Sequence, residues 1–215
     1  MLTALEAFRR LKEGNLRFTG SMTGDAQLQS PRRTSLSKAT EPFAIILGCS
    51  DARVPAEIIF DQGLGDLFVI RVAGNIVASS LVGSVEFAVE RFGTRRGVVV
   101  GHTQCGAIAA TLETLLDPGA SPSRNLQSIV DRVRPSVEGL LATNLRNDLP
   151  ALAAQAVRAN IRTSVNHLRH GSPVLERLIE RDGLLVVGAE YSLETGEVDF
   201  FENAPQSVST AGTRQ

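Results

Sequence analysis

Glu41–Asn75, EPFAIILGCSDARVPAEIIFDQGLGDLFVIRVAGN, decides the fold. Phe43 to Leu47 is a short, unbroken apolar run, the pattern of a strand buried on both faces of a parallel sheet. The polar cluster that ends it leads into Val54 to Phe60, which reads as a short helix. A second apolar run, Leu67 to Val72, follows a glycine-containing turn. Strand, helix and strand in succession make a β-α-β unit, whose two strands run parallel.

The pattern repeats along the chain. Gly97 to Val100 and Leu184 to Val187 are further strand-like runs, while Ser80 to Phe92 and Ala107 to Leu116 are helix-like. A long helical region extends from about Leu149 to Arg181 and is broken near Gly171 and Pro173. The expected architecture is α/β, with a mainly parallel central sheet flanked by helices. Leu2, Leu5, Phe8, Leu11 and Leu16 lie near helical spacing with charges between them, so residues 1–40 read as an N-terminal helical arm followed by a loop. That arm suits either wrapping a neighbouring subunit or packing within its own chain. Asp117 to Arg124 reads as a surface loop. Tyr191 to Phe201 carries a Thr-Gly turn between alternating residues and predicts a terminal hairpin. Residues 203–215 are polar and read as a loose tail. The whole, 1–215, reads as a single domain.

Composition removes several classes of function. The 215 residues carry 22 Lys and Arg against 23 Asp and Glu, a net charge of −1, so no basic footprint for nucleic acid is present. Hydrophobic residues make up 43%, which excludes a disordered chain, yet no run approaches the roughly 20 apolar residues of a membrane span. MLTALEAFRRLKEGN carries charge where a secretion signal needs its apolar core, which points to the cytoplasm. Without an oxidising compartment, two cysteines read as buried inert thiols or an incidental bridge unless their placement says otherwise.

Their placement does say otherwise. Parallel sheets bind ligands outside the carboxyl ends of their strands. Cys49 follows the first strand in GCSDAR, and His102 and Cys105 follow the third in GHTQCG. Together they offer zinc a Cys2His set, and the His-x-x-Cys spacing lets one tight turn present two donors. With three protein ligands, a fourth position stays open to a water of lowered pKa. Asp51 is placed to accept a hydrogen bond from that water or to close the site as a conditional fourth ligand. Arg53 is placed to orient and neutralise Asp51. The simpler reading of Asp51 and Arg53 is a helix cap with a surface ion pair.

Cys49 to Asn75, Gly83 to Val89 (GSVEFAV) and Val98 to Ala107 (VVVGHTQCGA) together resemble a β-class carbonic anhydrase. The likeness extends to Gly14–Phe18 and Asp182–Val198. It implies zinc-dependent reversible hydration of carbon dioxide to bicarbonate and a proton by zinc-bound hydroxide. Cys49, His102 and Cys105 would bind Zn2+, and Asp51 with Arg53 would form the catalytic dyad. Phe68, Ala73 and Phe87 would line the apolar carbon dioxide pocket, although core packing explains Phe68 and Phe87 equally well. The family also implies a homodimer or homotetramer with its active sites at the subunit interface. One branch, in which the Asp closes the zinc site under bicarbonate control, pairs an Arg and a Tyr with a Trp. Arg71 and Tyr191 match; the Trp position is Ile46. Related readings are a different heterocumulene, carbon disulfide or carbonyl sulfide, and a non-catalytic zinc site closed by Asp51. A cysteine phosphatase fails because Cys49 and Arg53 are too close for a phosphate loop, and the C-x-x-C of a redox pair is absent.

Overall fold

The computed structural model describes residues 2–20, 36, 39–117, 119 and 122–205. In chain order the elements are α1 (Ala4–Thr19), β1 (Ala44–Gly48), α2 (Ala56–Ile59), β2 (Leu67–Arg71), α3 (Ser79–Arg91), β3 (Arg96–His102), α4 (Gly106–Leu116), α5 (Arg124–Leu141), α6 (Leu149–His170), α7 (Pro173–Arg181), β4 (Leu185–Tyr191) and β5 (Val198–Glu202). Most of the loop expected before Pro42, and tail residues 206–215, lie outside the described residues.

Among the described residues one five-stranded sheet forms, in the order β2-β1-β3-β4-β5. The first three pairings are parallel and β4–β5 is antiparallel, as the predicted hairpin requires. Every residue of β1 and β3 is buried, which accounts for their unbroken apolar runs. Alternate residues feed two cores. Ile45, Leu47 and Val99 face a large layer built with α3 to α7, and Ile46, Val98 and Val100 face a smaller one with α1 and α2. The chain passes from β1 outward to β2 and then crosses back to β3. The strand order therefore reverses between β1 and β3, the place where an open α/β sheet leaves a crevice for ligands.

The arm packs within its own chain. Thr3 and Glu6 form a capping box, Leu11 is fully buried, and Gly14 lies so close to Phe60 that a Cβ there would collide with the Phe60 carbonyl. Asn15 donates to the carbonyls of Ile59 and Gly196, tying α1 to both α2 and the hairpin. Helix α5, where sequence patterning assigned nothing beyond Arg124, buries Val130, Val133 and Val137 despite an internal Pro135. A proline inside a helix reads from sequence as an end, and that obscured it. Further on, Gly171 ends α6, Ser172 caps α7 and Pro173 opens it, so the break falls where the sequence put it. No helix among the described residues is long and apolar enough to cross a membrane.

Candidate metal centre

Cys49 is the first residue past β1, His102 is the last of β3, and Cys105 immediately precedes α4. Since β1 and β3 are adjacent and parallel, these ends converge at the switch point. The turn from His102 to Cys105 is completed by Gln104 in a left-handed conformation, φ 54°. The two sulfurs lie 4.0 Å apart, and the donor atoms of Cys49, His102 and Cys105 all fall within 4.8 Å of one another. All three side chains are buried.

His102 Nδ1 is 2.8 Å from the Thr103 carbonyl oxygen. That oxygen can only accept, so Nδ1 carries the hydrogen and Nε2 presents a lone pair. Nε2 is buried and has no hydrogen-bond partner among the described residues. The thiols share their protons unequally. The hydrogen bond from Cys105, working against burial, holds Cys49 far below an ordinary thiol, and the facing Cys49 sulfur together with burial pushes Cys105 up. Burial works against a charged His102, but the Cys49 sulfur, the Thr103 carbonyl and Asp51 together raise it. A buried cluster that stabilises negative charge and aims an unused imidazole lone pair at two sulfurs suits a soft divalent cation.

Asp51 and Arg53 stand at the rim. Oδ1 of Asp51 accepts from the backbone N–H and from Nε of Arg53, both at 2.9 Å, while Oδ2 accepts from Nη2 at 2.7 Å. This bidentate pairing holds the Asp51 carboxyl well below the usual range. Oδ2 is 3.8 Å from His102 Nε2, so the carboxylate borders the donor cluster while remaining committed to Arg53.

The other predicted positions separate. Ala73 opens a tight 3-10 turn, Ala73–Asn75, whose Gly74 N–H donates to Cys49 Sγ at 3.4 Å. Phe68 pairs in register with Ile45, four residues before Cys49, about 13 Å along the strand. Phe68, Phe87 and Phe92 form a separate aromatic cluster with centroids 5.8–6.1 Å apart, and Phe87 is 53% exposed. Arg71 lies at the end of β2 and donates to the carbonyls of Cys49, at 3.0 Å, and Asp51, at 2.6 Å. Tyr191 ends β4, with β1 and β3 between it and β2, and its ring is buried beside Phe18. Ile46 is fully buried on the same face as Tyr191.

Residues 44–198 match the carbonic anhydrase family. A carbonic anhydrase from Mycolicibacterium smegmatis is 39% identical over 194 residues, covering 90% of this chain and 91% of that one. The chain belongs to the β-class carbonic anhydrase family. The solved β-carbonic anhydrase CcaA superposes with a TM-score of 0.71 at 27% identity, covering 94% of both chains. Two tetrameric β-carbonic anhydrases from Sordaria macrospora share the fold at a TM-score of 0.67 and 22% identity, over 91% of this chain and 97% of theirs. β-Carbonic anhydrases use zinc to hydrate carbon dioxide, a lyase reaction. The donor geometry fits that metal: two sulfurs at tetrahedral corners about 2.3 Å from zinc stand about 3.8 Å apart, close to the separation found here.

Sequence reading passed over the groups that brace the centre of this β-carbonic anhydrase. Asn160 and Ser164, both buried on α6, donate to the carbonyls of Gly74 and Asn75 at 2.7 and 2.9 Å. On the opposite side Glu194 accepts from Thr103 Oγ1 at 2.9 Å and from Gln104 Nε2 at 2.5 Å, clamping the turn between His102 and Cys105. A signal for the first pair was available, since two polar residues one helical turn apart interrupt an otherwise apolar stripe. Glu194 had none, because a polar residue in a hairpin turn is ordinary.

Proposed function

We propose that Cys49, His102 and Cys105 hold zinc in this carbonic anhydrase, and that Asp51 and Arg53 are its catalytic dyad. The observation that carries the assignment is the convergence of three buried donors at the β1/β3 switch point, with a doubly hydrogen-bonded carboxylate bordering them. Held by these three residues, zinc would supply Lewis acidity, bringing the pKa of a bound water to about 7. Asp51, with both oxygens fixed by Arg53, accepts a hydrogen bond from the attacking oxygen and so aims its lone pair at the carbon of carbon dioxide. The overall balance is carbon dioxide plus water giving bicarbonate and a proton, and the proton passes to buffer. For Asp51 to serve as a fourth ligand, the metal must compete with Arg53 Nη2 for Oδ2, the oxygen nearest the donor cluster. The pairing therefore favours the dyad over a permanently closed structural site.

Ala73, the neighbour of the Gly74 whose N–H meets Cys49, supports a small apolar wall for carbon dioxide. Phe68 and Phe87 serve that role best across an interface, because within one chain they stand apart from the donors. β2 is an edge strand with half-exposed side chains, and Phe87 beside it is open. A homodimer, or a tetramer built from dimers, would cover that face; sedimentation that finds only monomer at micromolar concentration would remove this part of the reading. Bicarbonate control fits Arg71, since an anion drawn to its guanidinium competes with its hydrogen bonds to the Cys49 and Asp51 carbonyls.

Zinc stoichiometry measured with stopped-flow hydration on wild type and Asp51→Ala tests the central assignment. The expected result is one zinc in each, with turnover lowered roughly 10²-fold or more in the variant. A zinc-loaded wild type inactive at every pH would overturn it in favour of a structural site.

A further inference from the structure

Asn160 lies in the middle of α6, on the stripe that buries Leu152, Ala156, Val157, Ile161, Val165 and Leu168. A buried carboxamide costs about 1–3 kcal/mol when its hydrogen bonds are unmade, so this position needs a partner. The partner is the Gly74 carbonyl, at 2.7 Å, and one helical turn later Ser164 secures the Asn75 carbonyl at 2.9 Å. Gly74 and Asn75 are consecutive left-handed residues, with φ of 70° and 42°. Among the described residues, the carbonyls of both left-handed residues are held from α6, while the backbone adds one turn bond, from the Asn75 N–H to the Val72 carbonyl. Ala107 of α4 backs the turn so closely that a Cβ on Gly74 would lie 3.1 Å from it. The shape has one chemical product: the Gly74 N–H is turned onto Cys49 Sγ.

An N–H aimed at a thiolate stabilises its charge and reduces what the sulfur donates to a metal. We infer that Asn160 is a positioning residue of the metal centre: through the Gly74 peptide it fixes the N–H donor that sets the charge on the Cys49 sulfur. The inference rests on the proposed ligand role of Cys49. It gives α6, which contributes no ligand, control over the donor strength of the site. Carbonic anhydrase chemistry depends on that strength, because a less donating sulfur leaves the metal more acidic.

The test replaces zinc with cobalt(II) in the full chain and reads metal affinity by chelator competition, together with the thiolate-to-cobalt charge-transfer band. Asn160→Ala is expected to weaken affinity roughly 10–100-fold and to shift the band, with Ser164→Ala moving both in the same direction by less. Val157→Ala, which truncates a buried neighbour on the same helix, is expected to lower the thermal midpoint and leave band and affinity unchanged. If Asn160→Ala loses thermal stability while keeping the wild-type band and affinity, Asn160 only supports the fold and the inference is overturned. Should Asn160→Ala not fold, Asn160→Ser and Ser164→Ala are judged by the same two readouts. A wild type without any thiolate-to-cobalt band would show instead that the ligand assignment had failed, and the inference would fall with it.

Discussion

The two strand ends that build the centre are made differently. β3 runs in continuous register to His102, paired on one side with β4 as far as Tyr191, so its first donor is still part of the sheet. Only two residues separate it from Cys105, and Glu194 holds both of them. β1 leaves the sheet at Gly48, and the segment that follows is held by groups from outside the ladder: the Arg71 side chain on its carbonyls, the Arg53 side chain on Asp51 and the backbone N–H of Gly74 on Cys49. The β3 end is a fixed pair of donors, whereas the β1 end combines one donor with a carboxylate that has alternative partners. On the proposed assignment the metal donors are divided between the two ends, two at β3 and one at β1, while proton handling falls to the β1 end alone.

Substitutions at each end separate these tasks. His102→Ala should cost more zinc affinity than the roughly 10–100-fold typical of losing an outer partner, leaving little metal after dialysis. Arg53→Lys should keep zinc near one per chain, since Arg53 is outside the donor set, and lower kcat/KM on the order of 10²-fold, since lysine cannot form the fork that holds Asp51. Equal loss of zinc in both variants would erase the distinction between the ends. The smallest effect is expected at Glu194. Its hydrogen bonds from Thr103, then from backbone and Gln104, hold its carboxyl below the ordinary 4.5. An acid with a depressed folded pKa adds stability that is complete above its unfolded value and disappears as pH falls through the folded one. Glu194→Gln should therefore melt about 2 °C below wild type at pH 7, with the gap closing as pH drops below 4.5. A gap that persisted at pH 3 would mean that the clamp does not depend on charge.

Much of this was legible from residue order. The buried strands announced themselves as unbroken apolar runs, and Cys49, His102 and Cys105 stood at their ends, where parallel sheets collect ligands. Asp51 and Arg53, two residues apart, came with Cys49. What stayed hidden depends on packing between distant segments. The Gly74 N–H gains its meaning only when the left-handed turn meets α6, and the separation of Phe68 from Cys49 emerges only once the register pairs it with Ile45. Helix α5 carries Pro135 inside it, and a proline read from sequence marks the end of a helix rather than its middle.

The bracing bonds have a consequence for how the protein is made. The donors all lie between residues 49 and 105, but the contacts from Asn160, Ser164 and Glu194 span 86 to 91 residues. During synthesis the chain exposes a complete set of metal-seeking side chains long before α6 and the final hairpin emerge to shape them. Metal binding and folding are coupled, so full affinity is acquired only when the carboxyl-terminal half docks. On the proposed ligand assignment, ions captured earlier would be held loosely, and the mature grip on the metal would be the last property the nascent chain acquires.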